Sequence, residues 1–210
     1  MTYDGMRFTR PRWRSHGIVL VLLTLLAAGC TGAPKVVESW KDPNVTGPLR
    51  FKKILVMVVH PDAYTRRIGE DELARAVGPD RAVQAETLLT DAERADLEKL
   101  KAKVTQAGVD GVVTMRVAGT GTHPSAPAPS SSYSYDAFWK DDGLAVVGRP
   151  DGPTPSQRAI RIRTRIYSVA DQRLVWDGVS ESFDWDGARD LIGGIAKAVS
   201  SRLRQEHLIE

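Results

Sequence analysis

One cysteine in 210 residues, Cys30, leaves this chain unable to form an intramolecular disulfide or a thiolate-rich metal site. No apolar stretch is long enough for a membrane-spanning helix. The one of note runs from Gly17 to Ala28, and twelve residues at ~1.5 Å each cover about 18 Å of a hydrocarbon layer ~30 Å thick. Aromatic residues make up only 7% of the chain, so the four that gather between positions 133 and 139 stand out. A surplus of positive charge is also missing from the body of the chain. Arg7, Arg10, Arg12 and Arg14 face a single acidic residue, Asp4, before Cys30; without the first 29 residues the basic count falls from 29 to 25 and the acidic count from 26 to 25. A nearly neutral remainder removes the electrostatic case for nucleic acid. Some 181 residues are left (210 − 29), which suits one domain better than two.

What is present at the N-terminus is an address. A basic start, an apolar core and small residues at a cut describe a signal peptide, with Met6 opening it more tidily than Met1. Leu26-Ala27-Ala28-Gly29-Cys30 resembles the lipobox of bacterial lipoproteins, with Ala27 where leucine is usual. That resemblance implies a diacylglyceryl group on the Cys30 sulfur and an acylated, membrane-anchored mature chain, and Thr31 in place of aspartate implies the outer membrane, facing the periplasm, over the inner membrane. The open alternatives are an ordinary secretory signal with a nearby thiol or an uncleaved anchor. Three acyl chains, at ~0.8 kcal/mol per buried methylene, would hold far better than one.

From Thr31 to Arg50, Pro34, Pro43, Gly47 and Pro48 suit a tether and lead-in turn, able to reach at most about 70 Å at ~3.5 Å per residue. Residues 51–210 are expected to form the domain. Lys53 to Val59 is a β-branched apolar run fit for a central strand. Tyr64 to Val77 has helical spacing at Ile68, Leu73, Ala76 and Val77 and ends at Gly78-Pro79. A short strand is expected at Ala82 to Glu86. A second helix is expected where Thr90 and Glu93 form a capping box, Leu97, Leu100, Val104 and Ala107 make a stripe, and Gly108 supplies the turn. Val112 to Val117 returns as a strand. The order predicts right-handed crossovers and a mainly parallel core.

Gly119 to Gln157 holds half of the twelve prolines, a Ser-Ser-Ser run and the aromatic island Tyr133, Tyr135, Phe138 and Trp139. A loop of this length is commonly functional or mobile. Clustered aromatics suit an interaction surface, although they could equally fold back over the sheet. Arg158 to Ser168 alternates arginine with isoleucine, and Leu174 to Phe183 is its hairpin partner across Ala170-Asp171-Gln172. That register pairs Arg165 with Asp177, Arg161 with Glu181 and Ile166 with Trp176. The arginine face reads as solvated with cross-strand ion pairs, or as a surface for anionic headgroups. A last helix from about Asp186, capped by Asp184 or Asp186, buries Ala188, Leu191, Ile192, Ile195, Val199 and Leu203, and Gly193-Gly194 suggests a close approach to the sheet. The fold class is therefore α/β or α+β: a mixed, partly parallel sheet of about five strands with three helices in one domain, ordered β-α-β-α-β, long loop, β-β-α.

The chemistry is thin. His60 and Asp62 follow the first strand and His123 follows the third, at the strand ends where open α/β sheets bind ligands. They could form a base and orienter, or hold zinc with an open position, but no HExxH or nucleophile motif accompanies them. Gly119-Thr120-Gly121-Thr122 leads into His123-Pro124 rather than a helix, so no phosphate cradle is assembled. No cofactor or metal is implied.

Two stretches carry a family likeness: Glu38-Ser39-Trp40-Lys41-Asp42-Pro43-Asn44 running through Gly47-Pro48 into Phe51-Lys52-Lys53-Ile54-Leu55-Val56, and Glu70-Asp71-Glu72-Leu73-Ala74, joined by Val175-Trp176. They resemble small Gram-negative envelope lipoproteins that share a domain of unknown function, and the α/β arrangement is similar to the small N-terminal domain of periplasmic Tol-type proteins. The chain departs from that pattern at Gly69 and in its Pro/Ser loop. The resemblance implies a lipid-anchored, non-enzymatic binding or assembly module with an envelope protein partner. The alternative is a periplasmic hydrolase or metal enzyme using His60, Asp62 and His123.

Overall fold

The sheet in the computed structural model is mixed and partly parallel, and it has one strand more than the sequence suggests. Residues 33–120, 138–140, 159–183 and 185–210 are described, all within one unit, Gly32–Glu210. Among them the strands are β1 Lys35–Lys41, β2 Ile54–Val59, β3 Ala82–Gln84, β4 Gly111–Thr120, β5 Ala159–Ser168 and β6 Arg173–Phe183, in the spatial order β1-β6-β5-β4-β2-β3. The helices are α1 Ala63–Val77, α2 Ala85–Leu88, α3 Asp91–Arg94, α4 Leu97–Gln106 and α5 Ala188–Gln205.

β2 runs parallel to β3 and β4, while β4, β5, β6 and β1 alternate in direction. One edge of the sheet therefore collects the carboxyl ends of β2, β4 and β6, the start of β1 and the N-termini of α1 and α5; this is the upper edge. The lower edge collects the opposite strand ends and the C-termini of both long helices. α1 and α5 cover one face over Val56, Val58, Val113, Met115 and Ile166, and α2 and α4 cover the other over Leu55, Met57 and Val112.

The added strand is β1. The stretch expected to be a tether pairs antiparallel with β6 from Lys35↔Glu181 to Lys41↔Trp176, with a bulge at Val37. It continues through the buried Asp42, which accepts from the Asn44 backbone and side-chain nitrogens at 2.9 Å. The strap beyond is fastened by Leu49 N–H to Leu208 O (2.8 Å) and by Lys52 and Lys53 N–H to Asp110. The hairpin register agrees with the expectation at Arg165↔Asp177, Arg161↔Glu181 and Ile166↔Trp176, and Val175 is a bulged residue below it.

Three further expectations change. The second helix is two: Thr90 and Glu93 do form a capping box, but for the single turn α3, and Asp96 caps α4 afresh by accepting from Glu98 and Lys99 N–H. Gly108, at φ +65, makes the left-handed exit. α5 starts at Ala188 with Gly187 as N-cap and no side-chain cap, so Asp186 is not the cap, and Asp184 lies outside the described residues. Gly194 packs on Pro34 and Gly193 faces Glu72, so the glycine pair meets β1's lead-in and α1 rather than the sheet.

Candidate functional site

α1 and α5 pack tightly at Gly69. A Cβ on Gly69 would lie 2.6 Å from Ile192 Cδ1 and 2.8 Å from Val58 Cγ2, so only glycine lets α1 sit this near to α5 and β2. Toward the lower edge, the residues that turn to the seam are short: Ala76 on α1, Ala196 and Ser200 on α5. They leave a cleft of about 430 Å³ between the lower halves of the helices and the sheet. Its floor is Ile54, Val113, Met115, Thr164 and Ile166, its sides are Leu73, Val77, Val199 and Leu203, and the Pro48–Phe51 strap closes one flank. Thr164 is fully buried and its Oγ1 has no hydrogen-bond partner. A lone hydroxyl in an apolar pocket is a costly feature that a bound group can offset.

Charge collects at the mouth. Arg50, Arg81 and Arg204 line it with one carboxylate side chain, Glu210. Arg50 lies 3.4 Å from Glu210 with both side chains mostly exposed, so the pair is weak. Arg81 donates to Val77 O at 2.8 Å and Arg204 to Glu210 O at 3.3 Å. Basic groups at two helix C-termini also match the helix dipoles.

At the upper edge the sequence-derived candidates have other employment. Asp62 is the N-cap of α1, its carboxylate accepting from Thr65 N–H (2.7 Å) and Thr65 Oγ1–H (2.6 Å), and that bonding holds its pKa below the usual carboxylate value. His60 Nδ1 accepts from Asp62 N–H at 3.1 Å. The two side chains therefore do not form the base and orienter pair drawn from the sequence, and His123 lies outside the described residues. Among the described residues, no group of three potential metal ligands converges, and no helix is long and apolar enough to cross a membrane.

Beneath these residues is a buried ionic cluster with no counterpart in the sequence reading. Glu70, fully buried on α1, accepts from Val58 N–H (3.2 Å) and Glu86 N–H (2.7 Å). Burial pushes its pKa up to about 7, against the pull of the Glu86 N–H, Arg94 and the Val58 N–H. Arg94 approaches Glu86 at 2.8 Å and Glu70 at 3.8 Å. Arg66 pairs with Glu86 and Asp91 and donates to the His60 and Pro61 carbonyls, each at 3.1 Å. These bonds fix the β2–α1 turn. Only the i, i+4 spacing of Arg66 and Glu70 within an apolar helix pattern hinted at the cluster.

The aromatic island needs correction. Phe138 and Trp139 are fully buried on the α2/α4 face, Phe138 stacking on Tyr167 with centroids 4.5 Å apart, so these two fold back over the sheet instead of offering a free interaction surface. Tyr133 and Tyr135 lie outside the described residues. The arginine face is also not solvated: Arg163 and Arg165 are 6% and 3% exposed, and both reach Asp177, at 3.4 and 2.9 Å.

No family model and no curated protein matches the chain. Among solved structures, one likeness is to a point variant of the PelC dodecamer from Paraburkholderia phytofirmans, at 13% identity over 81% of this chain and 96% of that one, with a TM-score of 0.44. A second crystal form of PelC from the same organism gives 13%, 80%, 95% and 0.43.

Proposed function

We propose that the protein is a lipid-anchored envelope module, held through acylated Cys30 in the outer membrane and facing the periplasm, which works without catalysis by binding an anionic single-chain amphiphile in the cleft between α1 and α5. The observation that carries this reading is the cleft itself, a hollow of about 430 Å³ with a mostly apolar floor and three arginines against one glutamate side chain, Glu210, at its mouth. The apolar floor suits an alkyl chain, the arginines suit a carboxylate or phosphate head, and the N-terminal signal supplies the anchor.

The test is displacement of a fluorescent fatty acid from the acylated protein. Dodecanoate and dodecyl phosphate are expected to displace it and dodecyltrimethylammonium is not. Within the alkanoate series each added methylene should tighten Kd about fourfold, from ~0.8 kcal/mol per methylene. Ala76, exposed at the surface but lining the cleft, is the place to plug it: Ala76→Trp should abolish displacement and leave the thermal midpoint in place. Equal affinity for the cationic and anionic amphiphiles, or unchanged binding by Ala76→Trp, would sink the reading.

A further inference from the structure

The large apolar side chains that stand exposed among the described residues are Val37, Tyr64, Val117 and Phe183, and all belong to one edge. Val37 is in the upper half of β1, Tyr64 is the second residue of α1, Val117 is near the carboxyl end of β4 and Phe183 ends β6. Tyr64 is 72% exposed. They lie on four elements, β1, β6, β4 and α1, at or toward the upper end of each. Tyrosine and other large apolar groups at a rim suit the headgroup boundary of a bilayer.

The same edge receives the chain from Cys30. Pro34 packs on Gly194 in the upper half of α5, and Lys35 pairs with Glu181 near the top of β6. Cys30 is four residues before Pro34, a covalent reach of at most about 14 Å. With β1 built into the sheet, the long tether read from the sequence shrinks to this.

We infer that the upper edge of the sheet rests on the bilayer that holds Cys30, with Tyr64, Val117 and Phe183 at the lipid boundary and the cleft opening on the far side. The inference rests on acylation of Cys30. The ten-residue strands β4 and β5, at ~3.3 Å per residue, set the two edges about 30 Å apart. The cleft is then filled from the aqueous side or by a partner, not directly from the anchoring membrane. Charges at the upper edge are mixed, Lys35 and Arg67 alongside Asp62, Asp186 and Asp190, so the contact is apolar and resists salt.

The test uses the full acylated protein in phosphatidylethanolamine/phosphatidylglycerol vesicles. With Cys30 acylated, a thiol introduced by Arg67→Cys at the upper edge or Ala170→Cys at the lower edge takes a single fluorophore. A headgroup nitroxide lipid is expected to quench the label at position 67 and spare the one at 170, unchanged by added salt. Combining Arg67→Cys with Tyr64→Ser, Val117→Ser and Phe183→Ser should lose that quenching while the acyl mass stays. Equal quenching at both positions, or at neither, on protein of the acylated mass overturns the orientation. A mass without acyl chains overturns the anchor, and the orientation with it, and intact mass tells the two failures apart.

Discussion

Glu70→Gln is expected to flatten the dependence of stability on pH between about 5 and 8. The Glu70 carboxyl is fully buried, and burial moves its pKa from the ordinary 4.5 to about 7. Between those values the native state keeps a proton that the unfolded chain has released, so native stability falls as pH rises through the window, and the whole penalty is in force above pH 7. At 1.36 kcal/mol per pH unit, the displacement amounts to at most about 3 kcal/mol. Glutamine cannot ionise, but its amide nitrogen would meet one of the two backbone donors, Val58 N–H or Glu86 N–H, a mismatch of about 1–3 kcal/mol. The variant should therefore be less stable than the parent at pH 5 and approach it at pH 8. Urea unfolding midpoints across that range, on chain with Cys30→Ser to prevent acylation, provide the readout. The other displaced carboxyls act elsewhere. Asp62 and Asp96 are held low by hydrogen bonds from Thr65 and Lys99, Glu93 by Thr90 and Lys103; for Glu206, burial pushes up, but Ser39, Trp176 and Arg202 outweigh it. Each stabilises above its unfolded value and loses that contribution as pH falls through its lower folded value, so none titrates between 5 and 8. Parallel curves for the parent and Glu70→Gln would refute the assignment.

Gly69→Ala gains up to ~1 kcal/mol in helix propensity, yet its Cβ would sit 2.6 Å from Ile192 Cδ1 and 2.8 Å from Val58 Cγ2, an overpacking cost of about 1–3 kcal/mol. A lower thermal midpoint is expected, partly restored by Ile192→Val, and a variant at least as stable as the parent would show that the helices are free to part. Phe138→Ala removes a fully buried ring stacked on Tyr167 and should cost about 3–5 kcal/mol in chemical unfolding; a loss under ~0.5 kcal/mol would return Phe138 to the surface.

How much of this was legible follows from what each element repeats. The β5–β6 register could be read because charge and bulk alternate with period two on both strands, so only one alignment sets Arg165 against Asp177 and Ile166 against Trp176. The α5 stripe was legible for the corresponding reason at period 3.6. β1 was not, because an edge strand with a single neighbour needs no continuous apolar face: Lys35-Val36-Val37-Glu38-Ser39-Trp40-Lys41 is largely polar and flanked by prolines. The arginine ladder had the right alternation but the wrong solvation, since burial depends on what lies over a face and the strand's own sequence does not record that. The cleft was illegible for a further reason. Ala76, Ala196, Ser200 and Thr164 are ordinary residues for a helix or a strand, two of them buried and two not, and a hollow arises only from where three separate elements fail to meet.

That hollow and the tight contact above it have one geometric origin. Gly69 sets α1 against Ile192 of α5 near the upper edge, and the Glu70 cluster locks the same end of α1 to the β2–α1 turn. Below, Glu72 of α1 still reaches Arg189 of α5 at 3.4 Å and faces Gly193; beyond that point Leu73 and Val77 line the cleft opposite Val199 and Leu203, and the strap at Leu49 is tied to Leu208 instead of to either helix. A helix pair fixed at one end can widen at the other with little change in the sheet. On this geometry, loosening the upper lock should reach the cleft: Gly69→Ala, by prising the helices apart where they touch, should weaken amphiphile binding even though position 69 does not line the pocket. Unaltered affinity in a folded Gly69→Ala protein would mean that the cleft is shaped by the strap and the sheet alone.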